Sequence, residues 1–340
     1  WVADFLIGRH MHVVVDGEKS QERRVLSGVP QGSVLGPILF LIFINHVSSR
    51  ISSFCKIFAD DLKLALKLRM IPGDDCFRDF VSCQGEVELL HDTAKSWGLS
   101  MNADKCVVLR FGREAQVTKV ADSIRFFMAG RLISRDSSCV DLGVTIDSTL
   151  RFHSHVASVV RNAGGLATNL LRSTLNRESS FMVTLFVTHV RPIIDYCSCF
   201  WNTGYVRDLR RLESVQRRWT RAIEGMDGLE YGARLRTLNL YSVKGRLIRA
   251  DLIKYWKIFH GKSSIKPSDL FAPCPVDFTR GHAFKIGISR TEVECRSRSF
   301  GVRCASMWNA LPAEVVASES LSVFKSSLHN CLAGILFDHV

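Results

Sequence analysis

Residues 56–66 read KIFADDLKLAL, with two carboxylates, Asp60 and Asp61, set between apolar runs. Leu62, Leu64, Leu66 and Leu68 alternate with Lys63, Ala65, Lys67 and Arg69. That period of two predicts a half-buried strand. Residues 54–59 are also short and mostly apolar, so the aspartates are expected at a strand-to-strand turn. Adjacent aspartates repel and resist joint ionisation unless a cation neutralises them. Held at a turn, they suit a hard divalent ion such as Mg²⁺ or Mn²⁺, which takes oxygen ligands and keeps positions for substrate phosphates. Two such ions clamp the attacking and leaving oxygens of a phosphoryl displacement. A solvated turn is the other reading of any Asp-Asp pair. Residues 71–77, IPGDDCF, carry the same pair after a Pro-Gly turn without strands on both sides, and Asp74 and Asp75 are read as such a turn.

The surroundings of Asp60 and Asp61 separate the two readings. Residues 27–37, SGVPQGSVLGP, hold three glycines and two prolines and must form an irregular loop with special backbone angles. Pro37 suits the first turn of a helix. The following ILFLIFINHV is apolar on all sides and predicts a buried helix. Before the loop, Asp16-Gly17 is a turn pair between β-prone MHVVV and a polar strand, a hairpin over residues 11–26. After the aspartates, residues 84–97 have helical spacing ended by Gly98. Residues 105–111, KCVVLRF, and 140–146, VDLGVTI, read as strands. The first part is thus α+β.

Beyond about residue 150 the pattern is helical. In residues 206–223, Leu209, Leu212, Val215, Trp219 and Ile223 share one face. Arg207, Arg210, Arg211, Arg217, Arg218 and Arg221 fall on the other. Asp208 sits on the apolar side in the first turn, where a carboxylate favours the helix dipole. Residues 242–260 read as a further helix opened by Ser242.

Charge is divided along the chain. Residues 1–150 balance 18 basic against 18 acidic side chains, whereas residues 151–340 carry 27 against 15, so the net +12 lies wholly in the second part. A polyanionic partner for that part, or a well-solvated basic surface, accounts for the excess. Eleven cysteines are scattered without CxxC or Cys/His ligand spacing, and Cys197-Ser198-Cys199 is too tight for a zinc knuckle. Such a set predicts buried thiols in a reducing compartment. No signal peptide is apparent, and the longest apolar run, Ile38 to Ile44, is too short to span a bilayer. The chain opens at Trp1 mid-pattern and reads as a truncated fragment.

SGVPQGSVLGP, an apolar helix and then FADD, in that order, resemble the reverse transcriptases of non-LTR (LINE-type) retrotransposons, the jockey-like group in particular. WGLSMNADKCVVLRFGR (97–113) resembles the next palm motif, and LGVTID (142–147) the strand before the thumb. RPIIDYCSCFWN (191–202), LESVQRRWTRAI (212–223), TRGHAFKI (279–286) and MWNALPAEVV (307–316) resemble the carboxy-terminal region of that family. The resemblance implies an α+β fold: a partial polymerase palm of antiparallel strands plus helices over residues 1–150, an all-helical thumb-like region over 151–235, and a basic helical extension over 236–340.

It also implies site roles. Asp60 resembles the main metal-binding aspartate, with Asp61 beside it, and Mg²⁺ or Mn²⁺ as the ion. Pro30, Gln31 and Gly32 resemble the loop bordering the incoming nucleotide and template; Gln31 otherwise reads as a loop-capping amide. Lys105 in NADKC resembles a lysine that protonates the pyrophosphate leaving group; its alternative is a snorkelling surface lysine. The six arginines of 206–223 would track nucleic-acid backbone, or form the solvated face of a bundle helix. Partners implied are an RNA template, a DNA primer or target and deoxynucleoside triphosphates, inside the cell in nucleus and cytoplasm, with no membrane. His46 stands where the family usually has an acidic residue, and that position looks peripheral. A further catalytic aspartate of these enzymes lies on a strand preceding the region that begins here; Asp4 and Asp16 do not fit it, and no fingers, endonuclease or RNase H-like region is apparent. The expectation is therefore an RNA-directed DNA polymerase by family, inactive as this isolated fragment, with little or no polymerisation by this chain alone. A nucleic-acid-binding relic is the alternative, and an RNA-dependent RNA polymerase a more distant one that the FADD form disfavours.

Overall fold

The computed structural model describes residues 1–48, 50–67, 74–112, 124–274, 282–288 and 291–339. It is α+β and divides into two compact units, Trp1–Asp136 and Ser137–Val340. The division falls ahead of residue 150, and the hairpin that contains LGVTID belongs to the second unit.

In the first unit, strands Phe54–Phe58 and Asp61–Ala65 pair antiparallel, with Phe58 opposite Asp61 and Ile57 opposite Leu62. The alternation seen in the sequence sets which face is covered. Ile57 and Leu62 pack on Ile44, Val47, Leu90 and Ala94. Leu64 and Leu66 pack on a second cluster that includes Cys83, Val87 and Met128. The helix Asp74–Ser96 supplies both clusters, and Cys83, Val87, Leu90 and Ala94 recur at the spacing of one helical face. Asp74 and Asp75 open this helix; their side chains, like residues 68–73, lie outside the described residues.

The hairpin at Asp16-Gly17 forms, with Val14–Val15 against Glu18–Lys19 and His10–Met11 against Arg23–Arg24. The apolar segment is the helix Gly36–Ser48, with Pro37 in its first turn. It is not buried on all sides, contrary to the expectation from its composition. Ile44 and Val47 are covered, while Ile38 (51%), Leu41 (47%) and Ile42 (58%) are exposed. Its buried residues meet one cluster only, so apolarity on every side exceeds what that packing covers.

In the second unit, Ser138–Asp141 and Val144–Asp147 form a hairpin where the sequence suggested one strand. The reason is local: Leu142 (φ 44°) and Gly143 (φ 80°) both take left-handed backbone and reverse the chain. Asp147 then builds the corner into the helix His153–Ser173. Its carboxylate accepts from the N–H groups of Thr149 (3.0 Å) and Phe152 (2.7 Å). Burial opposes its ionisation, but hydrogen bonds from Thr149, Phe152 and Arg151 outweigh that and hold its carboxyl below the usual range. Because the folded value is the lower one, the stabilisation is full above the unfolded value near 4 and is lost as pH falls through the folded value. Asp147→Ala should cost about 1–2 kcal/mol at pH 7, as loss of a capping side chain does. The difference from wild type in urea midpoint should shrink at pH 2; an unchanged difference there would reject this role.

Helices His153–Ser173 and Val206–Arg221 lie side by side and run in the same direction. His153 Nδ1 meets Asp208 Oδ2 at 2.6 Å near their starts, and Arg218 donates to the Gly164 carbonyl at 3.0 Å further along. Leu209, Leu212, Val215, Trp219 and Ile223 are all buried, as their spacing predicts. They join Trp201, Phe186 and Met182 in one core, where the Trp219 indole N–H donates to the Met182 carbonyl at 3.1 Å. A second core gathers Trp256, Trp308, Tyr255 and Phe324. The helix Val243–Phe259, opened by a Ser242 cap as expected, contributes to both cores.

Two polar clusters stitch this unit. Buried Glu213 accepts from Tyr231 Oη and from the N–H of Val243 at 3.0 Å, so one helix caps the start of another. Arg303 grips buried Asp251 with two nitrogens, at 2.8 and 2.7 Å, and donates to the Cys199 carbonyl at 2.7 Å. The Cys304 thiol, pushed up by burial, donates to the same carboxylate at 3.4 Å. Of the cysteines whose side chains are described, Cys83 and Cys304 are buried; Cys197 and Cys331 are exposed, so the expectation of buried thiols holds only in part.

Candidate active site

The Asp-Asp turn is tight. Ala59 (φ 52°) is left-handed and Asp60 is not, which is the backbone signature of a type II′ hairpin turn. Glycine usually fills that first position, and a residue with a Cβ there stores strain of about 1–3 kcal/mol. The tightness places Asp60 at the tip and Asp61 at the first position of the returning strand, both exposed.

Both carboxylates line a cavity of about 820 Å³ within the first unit. Lys105 lines the same cavity, carried there by a short turn over Ala103–Lys105 that Asn102 caps by accepting from the Asp104 N–H at 2.9 Å. The side chains of Asp60, Asp61 and Lys105 make no hydrogen bond or ion pair among the described residues. All the oxygens of two adjacent carboxylates therefore remain available, and that donor set fits a hard divalent ion. Among the described residues no group of three or more His, Cys, Asp or Glu side chains is arranged to hold a metal. Arg110, Arg125 and Arg135 also line the cavity, against apolar walls that include Leu62, Leu64 and Phe126. Two carboxylates and four cationic side chains around one space suit a polyanion held with a divalent ion.

The glycine-rich loop is held by residues the sequence reading did not single out. Ser33 Oγ donates to the Pro30 carbonyl at 2.7 Å and accepts from the Gly36 N–H at 3.0 Å. A Cβ on Gly36 would lie 2.8 Å from the Pro30 oxygen, so that position requires glycine. Arg9 donates to the Gly28 carbonyl. Gly28 (φ 84°) and Gly32 (φ 81°) are left-handed. Gln31 makes no hydrogen bond among the described residues, so the loop's capping side chain is Ser33. Pro30, Gln31 and Gly32 are not among the residues lining the cavity with Asp60. A serine three residues before a glycine at a helix start was the available signal for this cap. His46 stacks on Trp97 at 5.2 Å, away from the cavity lining.

The arginine helix does not present six equivalent cations. Arg217 stacks over the Tyr231 ring at 4.8 Å, Arg218 donates to Gly164, and Arg221 pairs with Asp227 at 2.7 Å. The side chains of Arg207, Arg210 and Arg211 make no hydrogen bond or ion pair among the described residues.

Residues 1–146 match the family model described as reverse transcriptase (RNA-dependent DNA polymerase). Through that match and the relatives that follow, the chain is similar to the RNA-directed DNA polymerases of mobile elements. It is 28% identical over 166 residues to the RNA-directed DNA polymerase from mobile element jockey of Drosophila melanogaster, covering 46% of this chain and 17% of that protein. It is 27% identical over 258 residues to the probable RNA-directed DNA polymerase from transposon BS of the same fly, covering 72% and 28%. The jockey polymerase of Drosophila funebris is 26% identical over 236 residues, covering 66% and 25%. The chain thus spans less than a third of the length of these relatives.

Proposed function

We propose that the first unit is part of the palm of an RNA-directed DNA polymerase, and that the helical residues after it serve as thumb and nucleic-acid-binding extension. The observation that carries the reading is the meeting of Asp60, Asp61 and Lys105 at one cavity, inside the region that matches the reverse transcriptase family. Asp60 and Asp61 would hold Mg²⁺ or Mn²⁺, which when bound neutralises charge on the reacting phosphates. Lys105 would place a proton donor near the leaving pyrophosphate. Arg110, Arg125 and Arg135 add positive charge around a triphosphate. Gln31 and its loop would border template and incoming nucleotide. The substrates would be an RNA template, a DNA primer or target and deoxynucleoside triphosphates, handled in nucleus and cytoplasm.

Two carboxylates supply part of a two-metal cage, so extension by this chain is expected to be slow. The test is Mg²⁺-dependent extension of a DNA primer on an RNA template by the purified chain. Extension that persists unchanged in Asp60→Ala would defeat the assignment of the site. A second reading, a non-catalytic nucleic-acid-binding protein, draws on the three unpaired arginines Arg207, Arg210 and Arg211. It predicts salt-dependent nucleic-acid binding that survives Asp60→Ala, with no extension by wild type.

A further inference from the structure

The six arginines of the helix Val206–Arg221 are evenly spread in sequence but not in what they already hold. The three in its second half are committed within the second unit. Arg217 covers the Tyr231 ring, Arg218 satisfies a backbone carbonyl of the neighbouring parallel helix, and Arg221 is neutralised by Asp227. An arginine that gives up an intramolecular partner to reach a phosphate gains only the difference between the two. The side chains of Arg207, Arg210 and Arg211, in the first half, have no such partner among the described residues; Arg207 and Arg210 are exposed and Arg211 is half-buried.

The same end of the helix carries further cations. Tyr205, its N-cap, contacts the His153 ring at 4.7 Å and lies under the Arg298 guanidinium at 4.0 Å. Arg298 and Arg151 share one carboxylate, Glu294, at 3.3 and 3.4 Å. Two arginines against one acid leave that patch cationic. Asp208, the acidic residue of the helix's first turn, is buried and turned to His153.

We infer that the second unit grips the phosphodiester backbone through Arg207, Arg210 and Arg211, and that Arg217, Arg218 and Arg221, like Arg298 and Arg151 at Glu294, are structural. This rests on the proposal that the second unit binds nucleic acid, and it divides the helix into a binding half and a packing half. Each phosphate neutralised releases condensed counterion, so log K falls with log [salt] by about 0.9 per contact on duplex DNA.

The experiment uses the full 340-residue chain and a fluorescein-labelled 20-bp DNA duplex, with affinity measured across salt concentrations. Changing Arg207, Arg210 and Arg211 together to Gln should lower the slope by about 2–3 and weaken binding more than tenfold at moderate salt, with Tm unchanged. Changing Arg217, Arg218 and Arg221 together to Gln should lower Tm while slope and affinity stay within twofold of wild type. A slope change below 1 in the first variant overturns the inference, whether or not the second variant folds. Equal slope losses in both also overturn it, while the broader reading of a nucleic-acid-binding unit stands. Failure of wild type to bind the duplex at low salt overturns both.

Discussion

Asp60→Asn is expected to cut Mg²⁺-dependent primer extension by about 10³-fold, roughly 4 kcal/mol of barrier. The turn leaves one carboxylate at its tip and the other at the start of the returning strand, so neither neighbour can replace the other's position. Asn keeps the size and the turn preference of Asp but removes the charge that offsets a divalent ion. Lost metal binding has its own signature: Mn²⁺ should broaden the amide NMR signals of Ala59 to Leu62 in wild type and not in Asp60→Asn. Asp74→Asn, in the second Asp-Asp pair, should change neither readout. Equal effects at Asp60 and Asp74 would show that the chain does not discriminate between its two acidic pairs, and the site would have to be sought elsewhere.

The largest stability effect is expected at Arg303. Its guanidinium and the Asp251 carboxylate have side-chain exposures of 9% and 1%, and the pair also ties in the Cys199 carbonyl and the Cys304 thiol. Removing one partner leaves an uncompensated charge inside the protein, which costs about 3–5 kcal/mol. For a unit of this size that is a fall in Tm on the order of 10 °C. Arg303→Met should show it by calorimetry. Adding Asp251→Leu to Arg303→Met should recover most of the loss, because it removes the stranded charge. A fall of less than 2 °C in the single variant, or no recovery in the double, would mean that solvent reaches the pair.

Much of the fold follows from spacing alone. The alternating leucines after Asp61 form a strand, Asp16-Gly17 turns a hairpin, and the apolar stripe from Leu209 to Ile223 is buried. Each depends on a local period or a residue with a strong turn preference. LGVTID was read as one strand because Leu142 carries no mark of left-handed backbone; only its place before Gly143 and the pairing of the flanking strands sets it there. The exposure of Ile38, Leu41 and Ile42 reflects which elements lie beside a helix, and periodicity cannot supply that. The candidate site was legible where carboxylates are adjacent in sequence, as at Asp60 and Asp61, which line one cavity with Lys105. It was illegible where a side chain's role depends on a remote partner. Nothing local distinguishes Arg218 from Arg211, yet one is spent on a carbonyl 54 positions away and the other is not.

The parallel course of helices His153–Ser173 and Val206–Arg221 has a consequence for how the second unit assembles. Antiparallel neighbours can zip from a short connection, but these two meet through pairs 55 and 54 residues apart. The intervening chain must travel back to the starting end before His153 can reach Asp208. The entropy of closing that long loop is lost before any of the contacts forms, which slows folding relative to a local helical hairpin. The arginine-bearing face is therefore expected to become organised only after the return path through Met182, Phe186 and Trp201 has packed. A peptide of residues 206–221 would carry the same charges without the partners that hold half of them back.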